Sequence, residues 1–285
     1  MKTLYKHVHL IIDDRREYLD GSILINDKTI EDVFVQSNKA IEDAKEVDMQ
    51  GKIFIPAFFD TKSKIEKQKG VVKKFIASNK LLNEDIHLIS DEEIIENKNI
   101  CAVTRINDYK KVNSIKTLIN PSSEENKSAD AISDITKEQN INLNSNKMIN
   151  YALANNCVVE FGIDNNIKDE YIKFILKNIE ATNIMLISYE HDDIIDQIKR
   201  LRKLNISYQD IVAMTSINPY NFYGYNKQDG YLVKGKSANI VCLNERNEIE
   251  FTLIEGEKHV WFLCKDINLY ICFSYESLWF ICFWL

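Results

Sequence analysis

The apolar residues of this chain change their spacing twice along the sequence, and this pattern constrains the fold most. Near the N-terminus, short apolar runs are separated by turn-forming pairs such as Asp20-Gly21, which predicts a small antiparallel sheet. From Ile53 to Ser188, strand-like runs alternate with amphipathic stretches, which predicts parallel β/α units. The spacing typical of strands returns between Gly230 and Gly256. Sheet structure is therefore expected at both ends of the chain.

The same pattern gives approximate element positions. We expect central strands at 53–59, 86–89, 100–103, 115–119, 141–143, 158–163 and 184–187, and C-terminal strands at 239–243 and 249–254. Amphipathic helices are expected at 168–180, 193–204 and 207–217. Ser207 and Asp210 form a capping pattern at the start of the last helix.

Composition and charge exclude several classes of protein. The chain has 285 residues and a formal net charge of -7, and its cations form no basic stripe, which argues against a nucleic-acid partner. It contains no run of about eighteen apolar residues and no signal-peptide core, so we expect no membrane span and a cytoplasmic location. None of its 6 cysteines is spaced as CxxC, so neither a zinc knuckle nor a redox pair is indicated.

Two motifs stand near the two ends of the central part of the sequence. Residues 51–60 read GKIFIPAFFD, which resembles the GxxxxPGFID strand that opens the barrel of the amidohydrolase superfamily. Residues 215–219, TSINP, followed by Gly224, Gly230 and the GKSANIV of 235–241, resemble its C-terminal motifs. The two motifs occur in the order that the superfamily requires.

Two further segments narrow the resemblance to the N-acetylglucosamine-6-phosphate deacetylases. The FGID of 161–164 is similar to the DGIH segment of that family, and the LISYE of 186–190 is similar to its LVTDA segment. The resemblance extends from Leu4 to about Glu257. It implies an α/β fold with a small β-sandwich built from both chain ends and a (β/α) TIM-like barrel between them.

The barrel is expected to be incomplete. A complete (β/α)₈ barrel usually needs ~250 residues and at least ~200, whereas Asp60 to Tyr225 spans about 165. The family strand that carries a THLFNAM segment has no counterpart between Ser145 and Cys157. We therefore expect a β-sandwich domain at 1–50 and 226–257, a truncated barrel at 51–225 and an atypical apolar tail at 258–285.

The tail does not match the ending of the family. It is rich in Phe, Trp, Tyr and Cys and shows no sustained period. A lost reading frame, an extra pair of strands and a membrane-seeking segment are three explanations of this composition. Its uncharged stretches are too short to cross a bilayer as a helix.

The family's reaction is metal-dependent amide hydrolysis of N-acetylglucosamine 6-phosphate. The resemblance implies a divalent metal such as zinc or iron, held by imidazole and carboxylate ligands. In this chain the ligand positions hold Lys62, Lys64, Thr104 and Asn144. A protonated lysine cannot coordinate a cation, so we expect no metal and no other cofactor.

The positions that would act on substrate are also changed. Tyr189 stands where the family has its catalytic Asp, and Asp164 stands where a histidine contacts the substrate. An unperturbed phenol has a pKa of about 10, which makes it a poor base near neutral pH. We therefore expect a pseudoenzyme.

Two other functions remain open from the sequence. Glu190, His191 and Asp192 follow a barrel-like strand at the end where such folds place their sites. With Asp164 they could form a rebuilt site for hydrolysis of an amino-sugar phosphate, although the acidic residues could equally cap the helix that follows. The third function is an interaction subunit, either a homodimer or a partner of an intact homologue.

A histidine pair near the N-terminus has the HxH spacing of a metal motif. His7 and His9 precede the GKIFIPAFFD strand by more than forty residues. On a regular strand both rings would lie on one face. We interpret the pair as part of the sandwich and not as metal ligands.

Overall fold

A computed structural model of the chain describes residues 1–38, 40–60, 71–74, 103–106, 116–119, 131–132, 135, 139–188, 194–223, 230–264, 269–274 and 281–282. Its strands are β1 (Lys2–Ile11), β2 (Glu17–Asn26), β3 (Thr29–Phe34), β4 (Lys45–Asp48), β5 (Ile53–Pro56), β6 (Phe58–Asp60), β7 (Val71–Lys74), β8 (Val103–Ile106), β9 (Lys116–Ile119), β10 (Ala131–Ile132), β11 (Val158–Gly162), β12 (Ile184–Ile187), β13 (Ile240–Leu243), β14 (Ile249–Ile254), β15 (Glu257–Cys264), β16 (Leu269–Ser274) and β17 (Ile281–Cys282). Its helices are α1 (Lys147–Asn155), α2 (Asp169–Asn178), α3 (Ile194–Lys203), α4 (Tyr208–Val212) and α5 (Asn218–Tyr223), with a 3-10 turn at Ala181–Asn183 and a π-helical turn at Ala213–Ile217.

The two ends of the chain form one sheet. Its strands lie in the order β17-β16-β15-β14-β13-β5-β1-β2-β3, and β4 pairs with β1. Strand β5 joins the two ends, because Phe54 pairs in parallel with Leu10 of β1 and antiparallel with Cys242 of β13. The prediction of a sheet built from both chain ends is therefore confirmed.

This sheet curls back on itself around an apolar interior. The backbone N–H of Gly235 donates to the carbonyl oxygen of Ile30, and the N–H of Ile30 donates to the carbonyl oxygen of Lys236, both at 2.8 Å. The interior cluster includes Leu10, Ile23, Ile25, Phe54, Ile240, Cys242 and Leu253. Side chains on alternate positions of both chain ends thus share one core, as the period of two requires.

The histidine pair lies on an irregular part of β1. The register of the β1–β2 pairing shifts on both sides of Val8, and His7 has a φ of 51°. His7 Nδ1 lies 3.1 Å from a carboxylate oxygen of Asp48, whereas His9 Nε2 lies 3.0 Å from that of Glu17. Each imidazole contacts a different carboxylate, so the regular strand expected from the HxH spacing is wrong here.

A second, parallel sheet follows the first. Strands β12, β11, β10, β9 and β8 pair in that order, and every pairing among them is parallel. Strands β6 and β7 form a separate parallel pair. The predicted α/β class, with a parallel sheet and a separate sheet, is confirmed, while the number of barrel strands and the domain boundaries stay predictions.

The helices pack on the parallel sheet through their apolar faces. Helix α2 buries Tyr171, Ile172 and Ile175, the face that its sequence pattern predicts. These residues share one apolar cluster with Phe161 of β11 and Leu186 of β12. Burial of this kind is the main stabilising contribution to the fold.

Several predicted elements match the structure, and others do not. Strand β14 has the predicted bounds, and α2, α3 and α4 lie within the predicted helices. The strand predicted at 141–143 is wrong, because this segment is a turn that leads into α1. The strand predicted at 86–89 lies outside the described residues, and β8 begins at Val103, where the predicted strand ends.

The segment after β14 continues the first sheet. Strands β15 and β16 pair antiparallel and extend the first sheet beyond β14. In the part of the chain that the structure describes, no helix has the length and apolar character needed to cross a membrane.

Gly256 provides a test of how the first sheet closes. It lies in the turn between β14 and β15 with a φ of 80°, and an added Cβ would overlap the backbone oxygen of Asp27. We expect Gly256→Ala to lower the free energy of unfolding by about 3 kcal/mol, from backbone strain plus the steric clash. Gly51→Ala is the matched control, since its φ is 79° and nothing lies within 4 Å of the added Cβ. Gly51→Ala should lower the free energy of unfolding, measured in urea, by about 1 kcal/mol. If both variants lose the same amount of stability, the close contact of Gly256 with Asp27 is absent.

Asp13 makes the stability of the β1–β2 turn depend on pH. Its carboxylate accepts hydrogen bonds from the backbone N–H of Arg15 at 2.9 Å and of Arg16 at 2.8 Å, and from Arg16 Nε at 2.7 Å. Burial raises the pKa of the Asp13 carboxyl, but these hydrogen bonds outweigh it and hold the pKa below its ordinary value. The stabilisation is therefore present above the unfolded-state pKa of about 3.9 and is lost as pH falls through the folded-state pKa.

We expect Asp13→Asn to be less stable than the wild type at neutral pH. The difference should shrink once the pH falls below about 4, where the Asp13 carboxyl of the unfolded chain begins to protonate before that of the folded protein. Urea unfolding of both proteins at pH 7 and pH 3 measures this difference. A difference that is the same at both pH values would rule out the ionised carboxylate as its source.

Candidate functional site

The candidate site lies at the carboxyl ends of two neighbouring parallel strands. Strands β11 and β12 pair through Phe161 with Leu186 and Gly162 with Ile187. Asp164 follows the first strand, and the segment 189–193 follows the second. Parallel sheets with helical crossovers place their ligands at this edge, so the loops after β11 and β12 are where a site is expected.

The carboxylate of Asp164 is used within its own loop. Its Oδ1 accepts hydrogen bonds from the backbone N–H of Asn166 at 2.8 Å and of Ile167 at 3.2 Å. Its Oδ2 lies 3.5 Å from Asn166 Nδ2. This is the arrangement of an Asx turn, which a short acidic side chain stabilises at the end of a strand.

Arg200 of helix α3 holds the same loop from outside. Its Nη1 donates to the carbonyl oxygen of Asp164 at 2.7 Å, and its Nη2 donates to the carbonyl oxygen of Ile167. Its Nε and Nη2 also donate to a carboxylate oxygen of Asp169, at 2.9 and 2.7 Å. Charge-assisted hydrogen bonds of this kind are stronger than neutral ones, so the loop is fixed at both ends.

Gln197, one turn earlier on α3, joins the two strand ends. Its Oε1 accepts from the backbone N–H of Ile163 at 2.9 Å, and its Nε2 donates to the carbonyl oxygen of Ile187 at 2.8 Å. The residue is 1 % exposed. The sequence prediction missed it, although a signal exists, because Gln197 lies at a core position of the helix with Ile194, Ile198 and Leu201.

A second residue that the sequence prediction missed is Glu160. It lies on β11 and is fully buried, between Val159 and Phe161, which both face the helices. Because side chains alternate along a strand, Glu160 lies on the opposite face of the parallel sheet. A buried carboxylate on that face of such a sheet is a candidate functional group, and an acidic residue within an apolar strand is the signal that could have identified it.

Asn144, one of the predicted ligand positions, lies in an exposed turn before α1. Its backbone N–H donates to Asn142 Oδ1 at 3.1 Å. The next residue, Ser145, accepts a hydrogen bond from Asn140 Nδ2 on its Oγ at 2.8 Å. The turn is therefore built from polar side chains that bind each other and the nearby backbone.

The remaining predicted positions are only partly described. Thr104 lies within β8, where it pairs with Thr117 of β9. Lys62, Lys64, Tyr189, Glu190, His191 and Asp192 lie outside the described residues. The structure thus brings Asp164 together with Gln197 and Arg200, and the other predicted site residues stay predictions.

The TSINP motif has a structural role in this chain. Ser216 Oγ donates to the carbonyl oxygen of Ala57 at 3.1 Å, next to the end of β5. Asn218 Nδ2 donates to the carbonyl oxygens of Ala181 at 2.7 Å and of Ile184 at 2.6 Å. Through these bonds the π-helical turn is attached to the segment between β5 and β6, and α5 is attached to the start of β12.

Among the described residues, the predicted site positions offer few ligands for a divalent metal. The carboxylate of Asp164 is already used by two backbone N–H groups, and Asn144 offers a neutral amide in an exposed turn. Among the residues that the structure describes, no three His, Cys, Asp or Glu side chains lie close enough together to hold a metal ion. Zinc and iron sites need several imidazole, thiolate or carboxylate ligands, which this part of the edge does not supply.

Comparison with solved structures identifies the fold. N-acetylglucosamine-6-phosphate deacetylase from Pasteurella multocida matches with a TM-score of 0.70 and 10% identity, over 91% of this chain and 100% of that chain. The enzyme of the same name from Mycobacterium smegmatis matches with a TM-score of 0.62 and 9% identity, over 90% of this chain and 99% of that chain. Beta-aspartyl dipeptidase from Fervidobacterium islandicum AW-1 matches with a TM-score of 0.67 and 10% identity, over 90% and 96%.

These likenesses show that the chain has the fold of N-acetylglucosamine-6-phosphate deacetylases and related amidohydrolases. No protein-family model and no curated protein matches the sequence. At a sequence identity near 10%, structural similarity shows a shared fold and not a shared activity, because one fold supports many functions.

A substitution at Gln197 tests whether its two hydrogen bonds hold the ends of β11 and β12 together. Gln197→Met keeps the volume of the side chain but leaves the Ile163 N–H and the Ile187 carbonyl without their partner, so we expect a loss of about 3 kcal/mol in unfolding free energy. Gln209→Met, on the half-exposed face of α4, is the control and should change stability by less than about 0.5 kcal/mol. If the two variants lose the same stability in urea unfolding, Gln197 does not join the strands.

Proposed function

We propose that this chain is a deacetylase-like protein of the amidohydrolase fold that no longer carries out metal-dependent hydrolysis of N-acetylglucosamine 6-phosphate. Within this proposal it acts in the cytoplasm, as a homodimer or beside an intact homologue, and any ligand is a small amino-sugar phosphate. The proposal is supported by the fold, by the residue types at the positions where the family binds metal, and by the geometry around Asp164.

One observation carries the proposal. At the carboxyl end of β11, the carboxylate of Asp164 accepts two backbone N–H bonds from its own loop. Both bonds end on Oδ1 and fix the orientation of the carboxylate, so a metal or a substrate amide would have to bind it in that orientation, through Oδ2. The residues after β11 therefore serve the loop itself.

The predicted ligand positions support the same conclusion. Lys62 and Lys64 are cations that do not coordinate while protonated, and Thr104 and Asn144 offer only neutral oxygens. A divalent cation would gain too little from such groups to lose its bound water. Tyr189 adds to this, because an unperturbed phenol titrates near pH 10 and does not accept a proton from water near neutral pH.

A second candidate is a hydrolase with a rebuilt site. It is supported by the parallel pairing of β11 with β12, because the carboxyl ends of both strands lie on the same side of the sheet. Asp164 follows one strand, and Glu190, His191 and Asp192 follow the other. Carboxylate and imidazole groups from two adjacent loops are a common way to bind a divalent metal.

Metal analysis and an activity assay test the proposal together. The protein is purified without a histidine tag, and zinc and iron are measured by elemental analysis. We expect no stoichiometric metal, and no acetate released from N-acetylglucosamine 6-phosphate above background with or without added Zn²⁺ or Fe²⁺. The deacetylase from Pasteurella multocida, assayed in parallel, is the positive control.

The second candidate predicts the opposite result. About one metal per chain, with activity abolished by His191→Ala or Asp192→Ala, would overturn the proposal and establish a rebuilt site. Asp196→Ala is the matched control, because Asp196 lies on the exposed side of α3 and pairs with Lys199 at 3.1 Å. Its loss should leave metal content and activity unchanged.

A further inference from the structure

Helix α3 carries two polar side chains that both face the end of β11. Gln197 and Arg200 are three residues apart, so they lie next to each other on the helix surface. Gln197 binds the residue that precedes the loop, through the N–H of Ile163. Arg200 binds Asp164 at the start of the loop, Ile167 near its end, and Asp169, the first residue of α2.

We propose that Gln197 and Arg200 form a latch that holds the loop 164–168 closed and keeps the Asp164 carboxylate turned into that loop. The latch is a conformational device, and Arg200 acts in it as a positioning residue for Asp164. It rests on the proposed function in one respect, namely that Asp164 belongs to the site. Its experiment measures loop opening and needs neither metal nor activity, so the two proposals fail independently.

The latch depends on the shape of the guanidinium group as well as on its charge. Three nitrogen atoms of Arg200 contact three different acceptors, two of them backbone carbonyl oxygens. A lysine ammonium carries the same charge, but it lacks the planar set of N–H groups that reaches several acceptors at once. The side chain of Arg200 is 26% exposed, so its hydrogen bonds are partly shielded from water.

The latch depends on the position of helix α3. The helix begins at Ile194, and its residues Gln197 and Arg200 bind the end of β11 and the loop that follows it. A change that moves this helix would therefore release the Asp164 loop.

Hydrogen exchange in the full chain tests the latch. The amides of Asn166 and Ile167 donate to Asp164 Oδ1, so their exchange rates report whether the loop is closed. We expect Arg200→Lys to raise these two rates by about tenfold or more, because charged hydrogen bonds to the loop are lost. Rates in β13 and β14, in the other sheet, should change by less than about twofold.

Arg202→Lys is the matched control. Arg202 lies on the same helix, donates to the carbonyl oxygen of Ile206 and stacks on the ring of Tyr208 at 3.9 Å. Its replacement should leave the exchange of Asn166 and Ile167 unchanged. Unchanged rates in Arg200→Lys, or an equal rise throughout the chain, would overturn the latch.

A milder variant keeps the test decisive if Arg200→Lys does not fold. Asp169→Asn removes one charged acceptor of Arg200 and leaves both carbonyl acceptors in place. Exchange of Asn166 and Ile167 should then rise several-fold, roughly threefold, and less than in Arg200→Lys. Unchanged rates in Asp169→Asn would show that the Arg200–Asp169 pair does not hold the loop, which contradicts the latch as described.

Discussion

The hydrogen bonds that strand β5 makes to both chain ends hold the two halves of this fold together. Its residues Phe54 and Ile55 are fully buried, and the strand pairs with β1 on one side and with β13 on the other. Two residues after β5 ends, the chain enters β6 of the parallel pair, and Ser216 binds the carbonyl of Ala57 at this transition. A strand buried on both faces tolerates few polar side chains, which explains the continuous apolar run from 53 to 59.

The sequence predicted the elements whose apolar spacing is regular. Helix α2 and strand β14 show clear periods, so their positions were predictable. The strand predicted at 141–143 failed for a local reason. Asn140 Oδ1 accepts from the N–H of Asn142, and Asn142 Oδ1 accepts from the N–H of Asn144. Such side-chain bonds to the backbone favour turns over strands. The apolar spacing of Ile141 and Leu143 predicted a strand because it takes no account of these bonds.

The site was less predictable than the fold, because its contacts connect distant parts of the chain. The sequence prediction selected Asp164 by resemblance to a family motif, but it could not identify Arg200, which lies thirty-six residues away. Gln197 was recognisable as a polar residue at a core position of its helix, yet its partners at Ile163 and Ile187 became known only from the pairing of β11 with β12. Patterns along a helix indicate which residues are buried, and they do not indicate what those residues bind.

The motifs that make this chain resemble amidohydrolases are the ones that its own structure uses for hydrogen bonding. Ser216 and Asn218 of the TSINP segment bind backbone carbonyls in the core. Asp164 stands in the FGID segment at a position where the resemblance places a histidine, and it binds the N–H groups of its own loop. Each of these roles stabilises the fold without a metal or a substrate. Hydrogen bonds of this kind therefore account for the shared fold, and they leave the activity to be decided by other residues.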